Sequence, residues 1–398
     1  MLSLVDDIRK LAEMECSDLQ SPTTHAQLLT MVNKLRLAIE TPTETILRLI
    51  YQPPQNAALR TVVDLDIFKL VLEASSTKGG KGISATELAA RTGAEKTLVV
   101  RLMRVMTALG LCTSLEPEVY LANDKTATMT KPIGRDGVSC IYDLTLPTLT
   151  QLPEYLREHG YADPKEYSRS PMQWVVGESQ FEWLAQRKDH QTLFNSYMSS
   201  RREGKPNWFD IYPVERLTEC ANPHPEAVFL IDIGGNHGHD LQKLTHCRPD
   251  LPGRLILQDL PKVIALAPQL DGVEGMGYSF LDPQPVKGAR AYFFRSIFHD
   301  WPDRICHKIL TNTMSAMDPS YSRIIIMDHV LPDVDTPLLQ AAMDIQMMSI
   351  GAGVERSELQ WRSLLRSAGL KITGIWSGNP GMESVIEAVP MAESEDTF

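Results

Sequence analysis

The chain has no surplus of positive charge, no long apolar run, no closely spaced cysteine pair and no internal repeat, and each absence removes a class of function. Lys and Arg number 39 against 50 Asp and Glu, a formal charge of -11. Neither a nucleic acid nor an anionic membrane surface finds the basic face it needs. The richest apolar stretch, Met343 to Ile350, is broken by Asp344 and Gln346 and falls short of a bilayer span. Six cysteines (Cys16, Cys112, Cys140, Cys220, Cys247, Cys306) lie scattered, and the start Met1-Leu2-Ser3-Leu4-Val5-Asp6-Asp7 has no basic segment leading into an apolar core. A reducing cytoplasm is the expected setting. Neither His239, His246 nor the cysteines make a ligand set, so no metal is expected. A small uncharged molecule remains the natural partner.

What is present is a glycine turn. The apolar run Val228-Phe229-Leu230-Ile231 enters Asp232-Ile233-Gly234-Gly235-Asn236-His237-Gly238, and Asp259 ends the next run, Leu255-Ile256-Leu257-Gln258. A strand stopping at small residues lets backbone approach a ligand, and an acid about 20 residues on can accept both ribose hydroxyls. A dinucleotide fingerprint needs further glycines where Asn236 and His239 stand, so no phosphate cradle is evident. Asp-x-Gly-x-x-x-Gly suits a nucleoside without phosphate, its strand-end acid Asp232 holding a positively charged amino-acid tail. Adenosylmethionine is such a cofactor.

A length of 398 residues calls for two or three domains. Residues 1–130 read as a helical arm followed by a winged helix. Leu4, Ile8 and Leu11, then Leu28, Leu29, Val32 and Leu35, recur at helical spacing and need a partner surface, either in the same subunit or in a second copy. A helix Val62–Leu72, a capping box of Ser84 with Glu87, a turn at Gly93, a helix Leu98–Leu109 and a hairpin Leu111–Leu121 complete the pattern. It admits a rival, a transcription regulator displaying Lys96, Arg101 and Arg104, which the acidic chain disfavours.

Residues 131–220 read as a helical region with helices at Trp174–Leu184 and Thr192–Ser200. Its aromatics and methionines, Phe194 and Met198 among them, serve either core or substrate pocket. Residues 221–398 alternate: strands 227–233, 254–259, 291–298, 323–328, 370–376 and 382–389, with helices 239–247, 261–267, 303–317, 337–348 and 357–368. This predicts an α/β doubly wound sheet.

Ligands of such sheets sit beyond the strands' carboxyl ends. There fall Gly234 to Gly238, Asp259, His299-Asp300-Trp301 and Asp328. His299 is the natural base, since imidazole titrates near neutrality, with Asp328 and Glu355 able to orient it. Met343 and Met347 point to an apolar, adaptable pocket.

These motifs, His299-Asp300-Trp301-Pro302-Asp303, Asp232-Ile233-Gly234-Gly235, Asp259-Leu260-Pro261 and Gly353-Val354-Glu355-Arg356-Ser357-Glu358, resemble the caffeate- and flavonoid-type O-methyltransferases of plants and their fungal relatives in secondary metabolism, over nearly the whole chain. The resemblance implies a Rossmann-like class I methyltransferase sheet binding S-adenosylmethionine, and an N-terminal winged-helix domain that dimerises and covers the substrate. By motif position it implies His299 as general base flanked by Asp328 and Glu355. It places Asp259 at the ribose, Leu260 among the cofactor contacts, Ser279 and Phe280 near the adenine, and Arg295 as a basic cofactor contact. Phe194, Met198, Asp300, Met343 and Met347 are then the acceptor-lining set. The expected reaction methylates a hydroxyl of a small aromatic or polyketide-like metabolite.

Two departures bear on the cofactor: Asn236 replaces the third glycine of the family's turn, and Ser279 replaces an acid. Asn tolerates left-handed backbone angles, and Asp282 lies close to Ser279 in the chain as an alternative adenine contact. The principal rival is a non-methylating enzyme of the same fold, a pericyclase or dehydratase, in which His299 or Arg295 hydrogen-bonds a substrate carbonyl.

Overall fold

A computed structural model describes residues 21–77, 80–378 and 381–392, with Asp6 and Arg9. The expected arm residues Leu4, Ile8 and Leu11 lie outside the described residues. The chain divides into two compact units: one runs to Thr150 and includes Phe181–Gly204, and the other holds Gln151–Gln180 and everything from Lys205. The middle region expected at 131–220 is thus shared between them. No helix among the described residues is long and apolar enough to cross a membrane.

In the first unit, α1 (Pro22–Ile39) and α2 (Pro42–Ile50) start at the side-chain caps Ser21 and Thr41 and bury no residue. Leu29, Val32, Ile46 and Ile50 are all exposed. The helix expected at Val62–Leu72 is two, α3 (Gln52–Asp64) and α4 (Ile67–Ser76), because Asp66 turns left-handed at φ 53 between them. A short strand β1 (Ile83–Ser84) precedes α5 (Ala85–Thr92), whose N-terminus Ser84 caps by accepting from the Glu87 amide, and Gly93 ends it at φ 74. Next come α6 (Lys96–Ala108) and the wing β2 (Thr113–Glu116) and β3 (Val119–Leu121), antiparallel in the order β1-β3-β2. Lys96 of the supposed recognition helix is neutralised by Glu118 at 2.7 Å, which removes part of the charge a DNA reader needs. Its core gathers Val62, Ile67, Phe68, Leu88, Val99 and Met103.

Helices α7 (Asp124–Met129) and α8 (Pro132–Cys140), a π-helical turn, α9 (Leu146–Glu158), α10 (Pro171–Val176), α11 (Gln180–Ala185) and α12 (Lys188–Ser200) follow. The single helix expected over Trp174–Leu184 is broken at Gly177, which takes φ 80. Short turns α13 (Trp208–Ile211) and α14 (Glu215–Thr218) lead into the sheet.

The second unit is built on seven strands, β4 (Val228–Ile233), β5 (Arg254–Asp259), β6 (Val273–Gly277), β7 (Ala291–Arg295), β8 (Arg323–Asp328), β9 (Leu370–Ser377) and β10 (Ser384–Pro390). Their order is β6-β5-β4-β7-β8-β10-β9, parallel except that β10 runs antiparallel to both neighbours. Side chains alternate across it. Ile231, Tyr292, Phe294, Ile324 and Ile326 pack on one face with Ile309 and Leu310 of α17 (Asp303–Met314) and Trp361 of α19 (Glu358–Ser367). Leu230, Phe293, Ile325 and Met327 pack on the other with Trp208 and with Leu241 and Leu244 of α15 (His239–Cys247). Each such side chain contributes about 1.5–3 kcal/mol when fully buried. Remaining helices are α16 (Pro261–Ile264) and α18 (Leu338–Gly351). The edge strand β6, Val-Glu-Gly-Met-Gly, was not expected from the sequence; it carries no apolar alternation and exists by pairing to β5.

The parallel β4–β5 pair begins at Gly253, which sits at φ 74 where a Cβ would run into the carbonyl oxygen of Ala227. Gly253→Ala is therefore expected to destabilise the sheet by about 2 kcal/mol and lower the melting temperature by about 5 °C, as thermal unfolding will show.

Candidate active site

Two turns meet at the carboxyl end of the sheet, one after β4 and one after β7, because those strands pair in parallel. The first is the glycine turn. Gly234, Asn236 and Gly238 take φ 75, 54 and 76, so Asn236 adopts the left-handed backbone that its side chain tolerates. The amides of Gly234 and Gly235 donate to the Gln258 carbonyl at 2.7 and 3.3 Å. A Cβ on Gly235 would lie 2.5 Å from the Asp232 carboxylate and from Leu257. That bare backbone can lie against a flat nucleoside. Beside it Asp259 accepts the Asn236 amide on one carboxylate oxygen at 2.8 Å and the Leu260 amide on the other at 2.7 Å. A carboxylate held this way keeps its outward lone pairs for a ribose diol. The phosphate-free turn and fixed acid fit an adenosyl cofactor.

Leu260 is exposed and opens α16, so it remains a candidate surface for the nucleoside. The Phe280 ring edge lies 3.9 Å from where a Gly234 Cβ would stand and meets Trp301 edge-on at 6.1 Å. The Ser279 hydroxyl accepts the Leu281 amide at 3.3 Å. Arg295 differs from expectation. Its guanidinium is buried, held by Asp240 of α15 at 2.5 Å and Glu383 at 3.1 Å, while Ser296 donates to the same Glu383 at 3.0 Å. Ser296 itself is left-handed at φ 52, which ends β7 three residues earlier than the apolar run suggested. Arg295 thus ties the His299 turn to the helix behind the glycine turn.

The second turn, Phe298–Asp300, carries His299. Gly353 presses so closely on it that a Cβ would strike the His299 carbonyl, and the Val354 amide donates to that carbonyl at 2.9 Å. Arg356, almost wholly buried, donates to the carbonyls of Phe298 at 2.8 Å and Trp301 at 2.9 Å and pairs with Asp303 at 2.7 Å. Asp344 of α18 accepts the Glu355 amide at 2.8 Å. These contacts deliver Glu355 to the ring: His299 Nδ1 donates to Glu355 Oε1 at 2.9 Å, with Asp328 Oδ1 at 3.9 Å and Asp300 Oδ1 3.6 Å from Nε2. The sequence-predicted trio His299, Asp328 and Glu355 is brought together, with Asp300 added. The trio's ligand atoms lie within 4.8 Å of one another. With Nδ1 bonded to Glu355, the orientation of the ring is fixed.

Burial disfavours a charged ring, but Asp300, Asp328 and Glu355 outweigh it and push the His299 pKa up to about 10. Burial, opposed by His299, raises Asp328 to about 7 and raises Asp300.

Met343 and Met347 lie on α18, which packs against the His299 turn. Phe194 and Met198 lie on α12, in the other unit. Sequence reasoning missed the supporting groups Asp344, Gly353 and Arg356. Two of these stand beside or within the Gly353-Val354-Glu355-Arg356 motif, where a glycine and an arginine flanking the acid were the available signal.

A Rossmann-like sheet with this strand order, a nucleoside turn without a phosphate cradle and a strand-end imidazole defines an adenosyl-dependent group-transfer enzyme. The chain belongs to the O-methyltransferase family: residues 161–371 match the O-methyltransferase domain and residues 53–131 the O-methyltransferase dimerisation domain. It is 32% identical to a demethylsterigmatocystin 6-O-methyltransferase of Aspergillus parasiticus, over 90% of this chain and 91% of that protein. Among solved structures it is similar to one titled a pericyclic reaction enzyme, at 29% identity and TM-score 0.84 over 98% of this chain and 99% of that one. It is also similar to OxaC in complex with SAH and oxaline, at 29% identity and TM-score 0.81 over 98% of both chains. The cofactor of the family is S-adenosylmethionine.

Because its folded pKa is raised, His299 contributes stability that is complete below the unfolded value near 6.5 and lost as pH rises through about 10. Nuclear magnetic resonance titration of the free protein should find this ring protonated well above pH 8. Glu355→Gln should lower its midpoint by about one unit or more.

Proposed function

We propose that this enzyme methylates a hydroxyl of a small aromatic or polyketide-like secondary metabolite, with His299 receiving the hydroxyl proton. One observation carries the reading: an imidazole pinned through Nδ1 by Glu355 lies at the strand ends beside the nucleoside turn. The Aspergillus parasiticus relative, named for methylating an oxygen of demethylsterigmatocystin, supports it. S-adenosylmethionine, when bound, supplies an electrophilic methyl group. Asp232 and Asp259 would hold its amino-acid tail and ribose, and the turn around Gly234, Gly235 and Gly238 would seat it. Leu260, Ser279 and Phe280 would border the adenosine. Positioning the acceptor oxygen in a dry crevice provides much of the rate, and the ring nitrogen adds proton removal. We assign apolar lining to Met343 and Met347, and a contact near the reacting oxygen to Asp300.

The acids around His299 favour a second reading, in which the charged ring donates to a substrate carbonyl and no methyl moves. The similar structure titled a pericyclic reaction enzyme supports that alternative. Incubation with metabolite extract and methyl-labelled S-adenosylmethionine separates the two by mass spectrometry: label in the product supports methylation, and an isomer of unchanged mass supports the rival. His299→Ala should bind the cofactor no more weakly than the wild-type protein while methylation falls by at least about a hundredfold. Near-normal turnover would remove the base from the mechanism.

We further propose that the uncovered apolar faces of α1 and α2 are covered by a second copy, making a homodimer, and that the enzyme works in the cytoplasm, consistent with the free Cys112, Cys140, Cys220, Cys247 and Cys306. Light scattering should give twice the 44.5 kDa chain mass. Replacing Ile46 and Ile50 together by Glu should shift the population toward monomer.

A further inference from the structure

A general base needs a lone pair, yet the acids around His299 set the ring up to hold a proton. Glu355 takes the Nδ1 hydrogen at 2.9 Å, and Asp300 stands 3.6 Å from Nε2, the nitrogen that must accept from the acceptor hydroxyl. Asp328, from the end of β8, lies 3.9 Å from Nδ1. The charged groups around this set do not relieve it. Asp344 of α18 bonds the Glu355 amide, the Arg356 guanidinium faces Asp303 and backbone carbonyls, and Glu383 before β10 pairs with Arg295. His329, next to Asp328 on β8, is held toward its neutral form, chiefly by burial. Three carboxylates therefore face one imidazole, and the proton-bearing ring is their natural partner.

The glycine turn adjoins this cluster. A Cβ on Gly234 would lie 2.5 Å from Ile297 Cδ1, and Ile297 stands two residues before His299 in the same turn. A positive charge seated in that crevice opposes a second positive charge on the ring. A like charge a few Å from a titrating group moves its pKa by about one to three units.

Resting on the reading that the crevice binds S-adenosylmethionine, we propose that His299 is an imidazolium in the free enzyme and is converted to a base by the arrival of the cationic cofactor, which expels the Nε2 proton to solvent. The neutral demethylated product, S-adenosylhomocysteine, has no such charge and leaves the ring protonated. The cycle balances. The ring loses one proton to solvent on loading, and the acceptor oxygen gains the methyl group while its hydroxyl proton passes to the Nε2 lone pair. The methyl–sulfur electron pair stays on sulfur. The product leaves an imidazolium ready for the next loading. One proton is released per methyl transferred, at the binding step.

Calorimetric titration of the full-length protein at pH 9, in buffers of different ionisation enthalpy, counts protons without turnover. S-adenosylmethionine should release about half a proton or more beyond the S-adenosylhomocysteine value, over the ligands' own ammonium contribution read from His299→Gln. His299→Gln should bind both ligands and lose the ring's share of the difference, leaving only that of the ligands' own ammonium groups. In Asp300→Asn the difference should peak at lower pH, because the free ring is easier to deprotonate. Equal proton counts for the two ligands in the wild-type protein, or an undiminished difference in His299→Gln, would overturn the proposal while leaving the cofactor assignment intact. Absence of binding heat with either ligand, confirmed by equilibrium dialysis, would instead refute the cofactor assignment and the proposal with it.

Discussion

The parallel pairing of β4 with β7 is the constraint on which the site depends, because it sets two irregular turns side by side at one end of the sheet. One turn must pass against Ile297, Asp232 and Leu257 without a Cβ, hence Gly234 and Gly235, with the left-handed Asn236 beside them. The other must hold an imidazole at a fixed height, hence the left-handed Ser296, the Arg356 clamp and the close approach of Gly353. Both turns are backbone solutions first. The chemistry is carried by side chains they project, and the apolar layers beneath fix the strands that project them.

The Asp240–Arg295–Glu383 group connects the two turns through the interior. An isolated buried guanidinium would be costly, and two carboxylates offset that cost while leaving Arg295 little freedom to reorient. Substituting one of the three would leave the others buried and unbalanced, so the group behaves as a unit.

Much of this was legible in the sequence because strand-end residues carry strong local signals. The glycine turn, Asp259 and His299 fall where apolar runs stop, and the long buried strands announce themselves by composition. β6 was silent because an edge strand of Val, Glu, Gly, Met and Gly has no buried face to pattern. The breaks at Asp66 and Gly177 were missed because apolar spacing continued through them. The run Tyr292 to Phe298 looked like one strand, since periodicity does not register the positive φ at Ser296. The family resemblance gives Arg295 as a cofactor contact but says nothing of its protein partners, Asp240 and Glu383, which are 55 and 88 residues away in the chain. Such long-range pairings leave no local trace. The same holds for Asp344 and Arg356, whose hydrogen bonds are to backbone brought in by the fold.

The sign of the field above the sheet bears on what can enter. Arg295 pairs with Asp240 and Glu383, while Asp300, Asp328 and Glu355 surround His299 at the carboxyl end of the sheet and Asp259 ends β5 beside them. A crevice of that character favours a cation such as a sulfonium.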